Sequence, residues 1–195
     1  MNNNARMREF FDRLAPSWDN RAAEGGVRQR IVDMSAIPEN SLIADIGCGR
    51  GVMFSHLLST KPRGIIAVDI SGEMLSYAKA SVTDERIMYI RGDALAAFLP
   101  PLLDAVMMFN SYPHFTDKKA LAEKLTAIVR PGGFVIIAHS CGRDKINVVH
   151  KGNGAVNLSV PLRPAEEEAS GFAPHFIAEK AAEAGSFYFI KLKRV

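Results

Sequence analysis

A chain of 195 residues with 48% hydrophobic and 23% charged residues has the balance of one globular domain around one core, so a single domain over 1–195 is expected. No apolar run approaches the roughly 18–20 residues of a membrane span. Met1-Asn2-Asn3-Asn4-Ala5-Arg6 lacks the apolar stretch of an export signal, and the two cysteines, Cys48 and Cys141, show no C-x-x-C spacing, so a cytoplasmic protein is expected. The net charge of +3 comes from scattered basic residues and neither demands nor excludes nucleic acid.

From the N-terminus, residues 5–14 place Met7, Phe10, Phe11 and Leu14 on one side of a short amphipathic helix, and Val27 to Ser35 predict a second. Five short, nearly continuous apolar runs follow, at 42–46, 65–69, 87–90, 105–109 and 134–138. Strands have this character when both faces of a parallel sheet are covered. Between them, Ser71 predicts a helix N-cap, with Glu73 in the first turn and Met74, Leu75 and Ala78 at helical spacing. Thr116 is expected to cap a segment in which Leu121, Leu125 and Ile128 share a face, stopped by Arg130-Pro131-Gly132-Gly133. Alternating strand and helix predicts an α/β sandwich with right-handed crossovers.

After Ala138 the alternation ends. Residues 140–163 are rich in Gly, Asn and Ser without a clean period, which predicts a long functional loop or mobile flap. Phe187 to Lys193 predict the last strand. Phe176 to Glu183 read as its hairpin partner or as a helix, since alanine and glutamate favour the latter, and the short Ala184-Gly185-Ser186 turn tips the reading to a strand.

The most informative residues are Asp45-Ile46-Gly47-Cys48-Gly49-Arg50-Gly51, at the end of the first strand. Glycines here allow a sharp turn and let a ligand approach the main chain. The spacing is G-x-G-x-G, neither the dinucleotide G-x-G-x-x-G nor a nucleoside-triphosphate loop. Asp45 would repel a pyrophosphate but favour a ligand bearing an ammonium and a sulfonium. Asp69, ending the second strand, can accept both hydroxyls of a ribose, and Asp93, in Gly92-Asp93-Ala94 after the third, can accept from an adenine amine. The plain alternative for Asp45 and Asp69 is helix capping; for Met74 and Trp18 it is core packing.

In this combination the chain resembles class I S-adenosylmethionine-dependent methyltransferases of the small-molecule type, over residues 10–139. The resemblance implies a Rossmann-like three-layer sandwich whose seven-stranded, mostly parallel sheet ends in a C-terminal antiparallel hairpin. Residues 1–36 would form a helical lid segment, 42–139 the cofactor-binding core, and 140–195 the loop and hairpin. With S-adenosyl-L-methionine as cofactor, Gly47, Gly49 and Gly51 would line its methionine moiety, with Cys48 a small loop filler, and Asp45 would engage the amino group directly or through water. Asp69 would bind the ribose hydroxyls, Ile70 and Met74 would flank the adenine, Asp93 would meet its amine with Gly92 and Ala94 beside it, and Asn110 would approach the methionine end. Phe11-Asp12-x-x-Ala15-Pro16-x-Trp18-Asp19 is similar to the entry segment of the menaquinone and ubiquinone methyltransferase-like group, where it packs over the cofactor.

Methyl transfer is an in-line displacement that depends mostly on positioning, with a base needed only if the acceptor loses a proton. Asn110-Ser111-Tyr112-Pro113-His114-Phe115 matches neither the N-P-P-Y nor the Pro-Cys pattern of nucleic-acid methylation, so a small-molecule acceptor is expected, with no nucleic-acid or membrane partner. His114 is the first candidate base, with Tyr112 beside it and His139, at the end of the fifth strand, expected to face the same pocket. His114, His139, Cys141 and His150 are alternatively a transition-metal set, although no known metal spacing fits; His139 is otherwise a hydrogen-bonded wall residue. Arg143 and Lys145 read equally as an anion site or a solvated face. Few residues remain to cap the acceptor, which fits an open pocket, one completed in a homodimer, or a macromolecular acceptor. The rival functions are a non-catalytic S-adenosylmethionine-binding or partner module and a nicotinamide-dependent oxidoreductase.

Overall fold

Strands buried on both faces need helices on both sides, and the computed structural model, which describes residues 3–18, 26–152 and 158–195 with backbone alone for 150–152, has that arrangement. The order is α1 (Asn3–Leu14), a 3₁₀ turn (Ala15–Ser17), α2 (Val27–Ser35), β1 (Leu42–Ile46), α3 (Phe54–Leu58), β2 (Gly64–Asp69), α4 (Gly72–Ser81), β3 (Ile87–Arg91) and β4 (Leu103–Phe109). Then come a 3₁₀ turn (Tyr112–His114), α5 (Lys118–Ile128), β5 (Val129–His139), α6 (Arg143–Gly152), α7 (Ala165–Ser170), β6 (Phe176–Ala184) and β7 (Phe187–Arg194). The sheet order is β3-β2-β1-β4-β5-β7-β6. Strands β1 to β5 pair in parallel, and β7 runs antiparallel to both β5 and β6. The expected seven-stranded sandwich with a terminal hairpin is what forms.

Alternate side chains of each strand enter opposite layers. Ala44, Val106 and Ile137 pack with Leu121, Leu125 and Ile128 of α5 and with Ala165 of α7. Ile43, Met107 and Ile136 pack with Ile31 of α2, Phe54 of α3 and Leu75 of α4. Strand order reverses between β1 and β4, so the carboxyl ends of these strands open a crevice where sheets of this kind bind ligands. No helix among the described residues is long and apolar enough to cross a membrane.

Two local expectations are corrected. Asp117, not Thr116, caps α5, its Oδ1 accepting from Ala120 N at 2.9 Å. The helix begins one residue later than expected, so the Asp117 carboxylate is the side chain that meets the amide three positions on. The stretch 140–163 is not a continuous loop, because it contains α6, anchored by the buried Ile146. With Val148 and Val149 both exposed, the helix carries too narrow an apolar stripe to show in the sequence. Ser71 caps α4 as expected, its Oγ accepting from Met74 N at 3.0 Å.

Behind the crevice Tyr112 is buried, and its phenol donates to Glu168 Oε1 of α7 at 2.5 Å. Burial, then this bond to a carboxylate, pushes the phenol's pKa far up, so it remains a neutral donor. Lys118 Nζ donates to the Tyr112 carbonyl at 2.8 Å and lies over the same ring. Tyr112→Phe leaves Glu168 without that donor and should cost about 1–3 kcal/mol. For a chain of this length the expected result is a fall of several degrees in Tm by calorimetric melting.

Candidate active site

The loop leaving β1 is folded tightly by its glycines. Gly47 N and Cys48 N both donate to the Val68 carbonyl of β2, at 2.8 and 3.1 Å. At Gly47 φ is +72°, and a Cβ would lie 2.4 Å from that of Ser111, so only glycine lets this turn approach the segment after β4. Ser111 Oγ donates to the Ile46 carbonyl at 2.7 Å, closing the contact. Gly49 faces open space, and Gly49 N donates to Asp69 Oδ2 at 2.8 Å.

Asp69 is the hub. Its other oxygen, Oδ1, accepts from Ser71 N at 2.9 Å, so one carboxylate joins the glycine loop to the start of α4. Burial raises its pKa to about 6, against the opposing pull of those amides. Asp45 lies fully buried beneath the loop, and its Oδ2 has no hydrogen-bond partner. Burial first, then the charge of Asp69, raises its pKa to about 7. Asp93, after β3, accepts from Leu95 N through Oδ1 and from Asn4 Nδ2 of α1 through Oδ2, at 3.0 and 2.8 Å.

Helix α1 and the turn behind it close over this edge. Asp12 Oδ1 accepts from Ser71 Oγ at 2.6 Å and from Glu73 N at 3.3 Å. Arg50 Nη1 donates to the carbonyls of Ala15 and Trp18, at 3.4 and 3.0 Å, while its guanidinium lies 4.2 Å from the centre of the Tyr77 ring. Phe11 stands edge-on to Trp18 and to His114, with ring centres 6.1 and 5.0 Å away. The His114 Nδ1 lies 3.0 Å from the Leu158 carbonyl. A carbonyl only accepts, so Nδ1 carries a proton.

These elements enclose a cavity of about 360 Å³, within the range of small-molecule sites. Of the residues singled out in the sequence, Trp18, Gly47, Cys48, Gly49, Asp69, Ile70, Met74, Gly92, Asp93, Ala94, Asn110 and His114 line it. Asn110 has φ +55° and exchanges two hydrogen bonds with Ser140, through Ser140 N and Oγ. Asp45, Gly51, Tyr112 and His139 do not line the cavity. Gly51 instead makes room for Phe54, whose ring a Cβ would meet at 2.4 Å. The phenol of Tyr112 is spent on Glu168. His139 is buried in register with Tyr188 of β7, edge-on to its ring at 5.8 Å, so it does not share a pocket with His114. Arg143 pairs with Glu183 at 3.4 Å and with Asp144 at 3.6 Å, and neither it nor Lys145 lines the cavity.

Among the described residues no three His, Cys, Asp or Glu side chains converge as a metal set. Cys141 packs half-buried against the core, while Asp19 and the His150 side chain, both named from the sequence, lie outside the described residues. The sequence reading missed Asn4, Arg50, Ser111 and Phe115, all lining residues. The signal was present for two of them. Arg50 interrupts the glycine run, and Ser111 follows the fourth strand.

Residues 43–133, a little under half of the chain, match the family model for a methyltransferase domain. That stretch of the chain resembles a methyltransferase domain. Among curated relatives, a ubiquinone biosynthesis O-methyltransferase of Paraburkholderia phymatum is 27% identical over 139 residues, covering 66% of this chain and 60% of the relative. A 2-methyl-6-phytyl-1,4-hydroquinone methyltransferase of Synechocystis is 26% identical over 113 residues, covering 57% of this chain and 36% of the relative. The chain thus spans between a third and three-fifths of these two relatives. The geranyl diphosphate C-methyltransferase of Streptomyces coelicolor, solved with S-adenosyl-L-homocysteine, superposes with a TM-score of 0.76 over all of this chain and 98% of that one. At 13% identity the likeness is one of fold.

The residues present fit S-adenosylmethionine as a cofactor. Asp69 is oriented by two amides and retains acceptor capacity for hydroxyls. The unpartnered Asp45 Oδ2, buried beneath the loop, leaves an acceptor that a cation in the cavity would favour. Gly49 leaves open space where any other residue would project a side chain.

Asp45 also predicts a pH effect. Its carboxyl is protonated in the folded chain up to about pH 7 but ionises near 3.8 when unfolded, so it subtracts stability increasingly as pH rises through that interval. Asp45→Asn should therefore raise Tm by about 5 °C at pH 8 and leave it unchanged near pH 4. The same variant should bind S-adenosylhomocysteine about tenfold more weakly at pH 8, by titration calorimetry.

Proposed function

We propose that the chain transfers the methyl group of S-adenosylmethionine to a hydroxyl of a small-molecule acceptor, with His114 as general base. The observation that carries this reading is that Asp69, at the end of β2, and His114, after β4, line one cavity of small-molecule size. The cofactor supplies the electrophilic methyl group when bound. Asp69 accepts from its ribose hydroxyls, Asp93 from its adenine amine, and Ile70 and Met74 pack on the ring. Entry of the adenine replaces the Asn4 amide on Asp93 Oδ2, one donor for another. The ionised form of Asp45 faces the amino group, which lowers its pKa and releases its proton.

On the acceptor side, the walls are Phe11, Trp18 and Phe115, with His114 among them. The Leu158 carbonyl keeps the proton of His114 on Nδ1, which leaves Nε2 the basic nitrogen. His114 then takes the acceptor's proton as its oxygen attacks, so the oxygen becomes an effective nucleophile without ionising in water. The aromatic wall excludes water that would compete for the methyl group, and the lid contacts of Asp12 and Arg50 hold that wall in place. Arg50, the one Lys or Arg among the described lining residues, is engaged with the Ala15 and Trp18 carbonyls, which favours a neutral acceptor over an anion. The O-methyltransferase relatives favour a hydroxyl as the accepting group.

Titration calorimetry with S-adenosylmethionine and S-adenosylhomocysteine tests the cofactor half. Micromolar binding is expected, weakened at least tenfold or so in Asp69→Ala; no binding of either ligand overturns the reading. A panel of phenolic acceptors, scored by S-adenosylhomocysteine released, tests the base. His114→Ala should bind the cofactor normally and turn over about 100-fold more slowly. Equal turnover removes His114 from the mechanism.

A further inference from the structure

The carboxylate placed to receive an adenine amine is already engaged from within the chain. Asp93 spends Oδ1 on Leu95 N at 3.0 Å, which leaves Oδ2 as the oxygen available to a ligand. Oδ2 accepts from the side-chain amide of Asn4 at 2.8 Å. Asn3, Asn4 and Met7, from the start of α1, line the cavity together with Asp93. A carboxamide and an adenine both present a planar NH2 donor, so Asn4 offers Asp93 the same bond that the nucleobase would. The other fasteners of this segment are different in kind. Asp12 accepts from Ser71 Oγ and Glu73 N, and Arg50 donates to the Ala15 and Trp18 carbonyls, so neither takes a group that the proposed cofactor needs.

We infer that Asn4 is a built-in competitor for the adenine: its amide holds Asp93 Oδ2 until the cofactor displaces it, so the first turn of α1 gates the adenine end of the cavity and lowers the affinity for the cofactor. This rests on the reading of the cavity as an S-adenosylmethionine site in which Asp93 meets the adenine amine. Binding exchanges one charge-assisted bond at Asp93 for another, so the amine gains little there over the bond that it replaces. The molecules ready to bind are the fraction in which Asn4 has released Asp93, and the apparent affinity falls in proportion to that fraction. The opening this requires is local. Asn4 is exposed at the start of α1, where the first amides of a helix have no carbonyl within the helix to hold them. Further along, Met7 and Ala15 are buried and Asp12 is tied to the start of α4. The first turn can therefore release while the rest of the segment stays beside the cavity.

The sign of one measurement tests this. The full chain, Asn4→Ala and Asn4→Leu are each titrated with S-adenosylhomocysteine by calorimetry. Asn4→Leu keeps the bulk of the side chain and loses the donor, so both variants should bind about fivefold more tightly than the parent. A side chain that only fastened α1 would act in the opposite sense, and both variants would then bind more weakly. If instead its bulk obstructed the adenine, Asn4→Ala alone would bind more tightly. Either result, or equal affinity in all three proteins, overturns the inference and leaves the cofactor reading standing. Binding by none of the three overturns the cofactor reading itself, and the inference with it.

Discussion

The Asp69 carboxylate is the constraint on which the rest of the site depends. Its two oxygens hold the amides of Gly49 and Ser71, so the end of β2, the glycine loop and the start of α4 share one anchor. Ser71 then passes the connection outward, because its hydroxyl donates to Asp12 while accepting from Met74 N. Through these bonds the floor, wall and lid of the cavity are positioned relative to one acid. A charged acceptor serves this role well, since bonds from neutral amides to a carboxylate are stronger than those to a carbonyl.

The same arrangement places two acids close together in a buried setting. Asp45 and Asp69 both have raised pKa values, and for Asp45 the charge of Asp69 adds to the effect of burial. Such a pair is unfavourable in isolation and favourable beside a cation. A buried carboxylate oxygen without a partner is the kind of strain that a binding site retains and a structural core removes. A cationic ligand such as the proposed S-adenosylmethionine would account for both the position and the electrostatics of these acids.

Much of this was readable in the chain. The central strands announce themselves because β2 is buried at every position, so it reads as an unbroken apolar run. Ser71 was identifiable as a cap because its bond is to a residue three positions on. Helix α6 was hidden because Ile146 is the one buried anchor among its described side chains and gives no period, and Asp117 rather than Thr116 caps α5 because the helix starts at Lys118. Tyr112 and His139 show a different limit. Both are polar aromatic residues near strand ends, the right type in the right place, yet Glu168 claims one and Tyr188 packs against the other.

By itself, the sequence determined the alternation of strands and helices, the G-x-G-x-G turn and the three acids at successive strand ends, because each is encoded by neighbouring residues and by burial on a short period. Only the tertiary structure decided which imidazole reaches the cavity, that Asn4, Asp12 and Arg50 fasten α1 and the turn behind it beside the cavity, and that the Leu158 carbonyl meets His114 Nδ1. Those outcomes depend on partners far away in the chain: Asp93 for Asn4, Ser71 for Asp12, Leu158 for His114. Local pattern can place a side chain at the end of a strand, but the direction it turns is settled by the elements that pack around it.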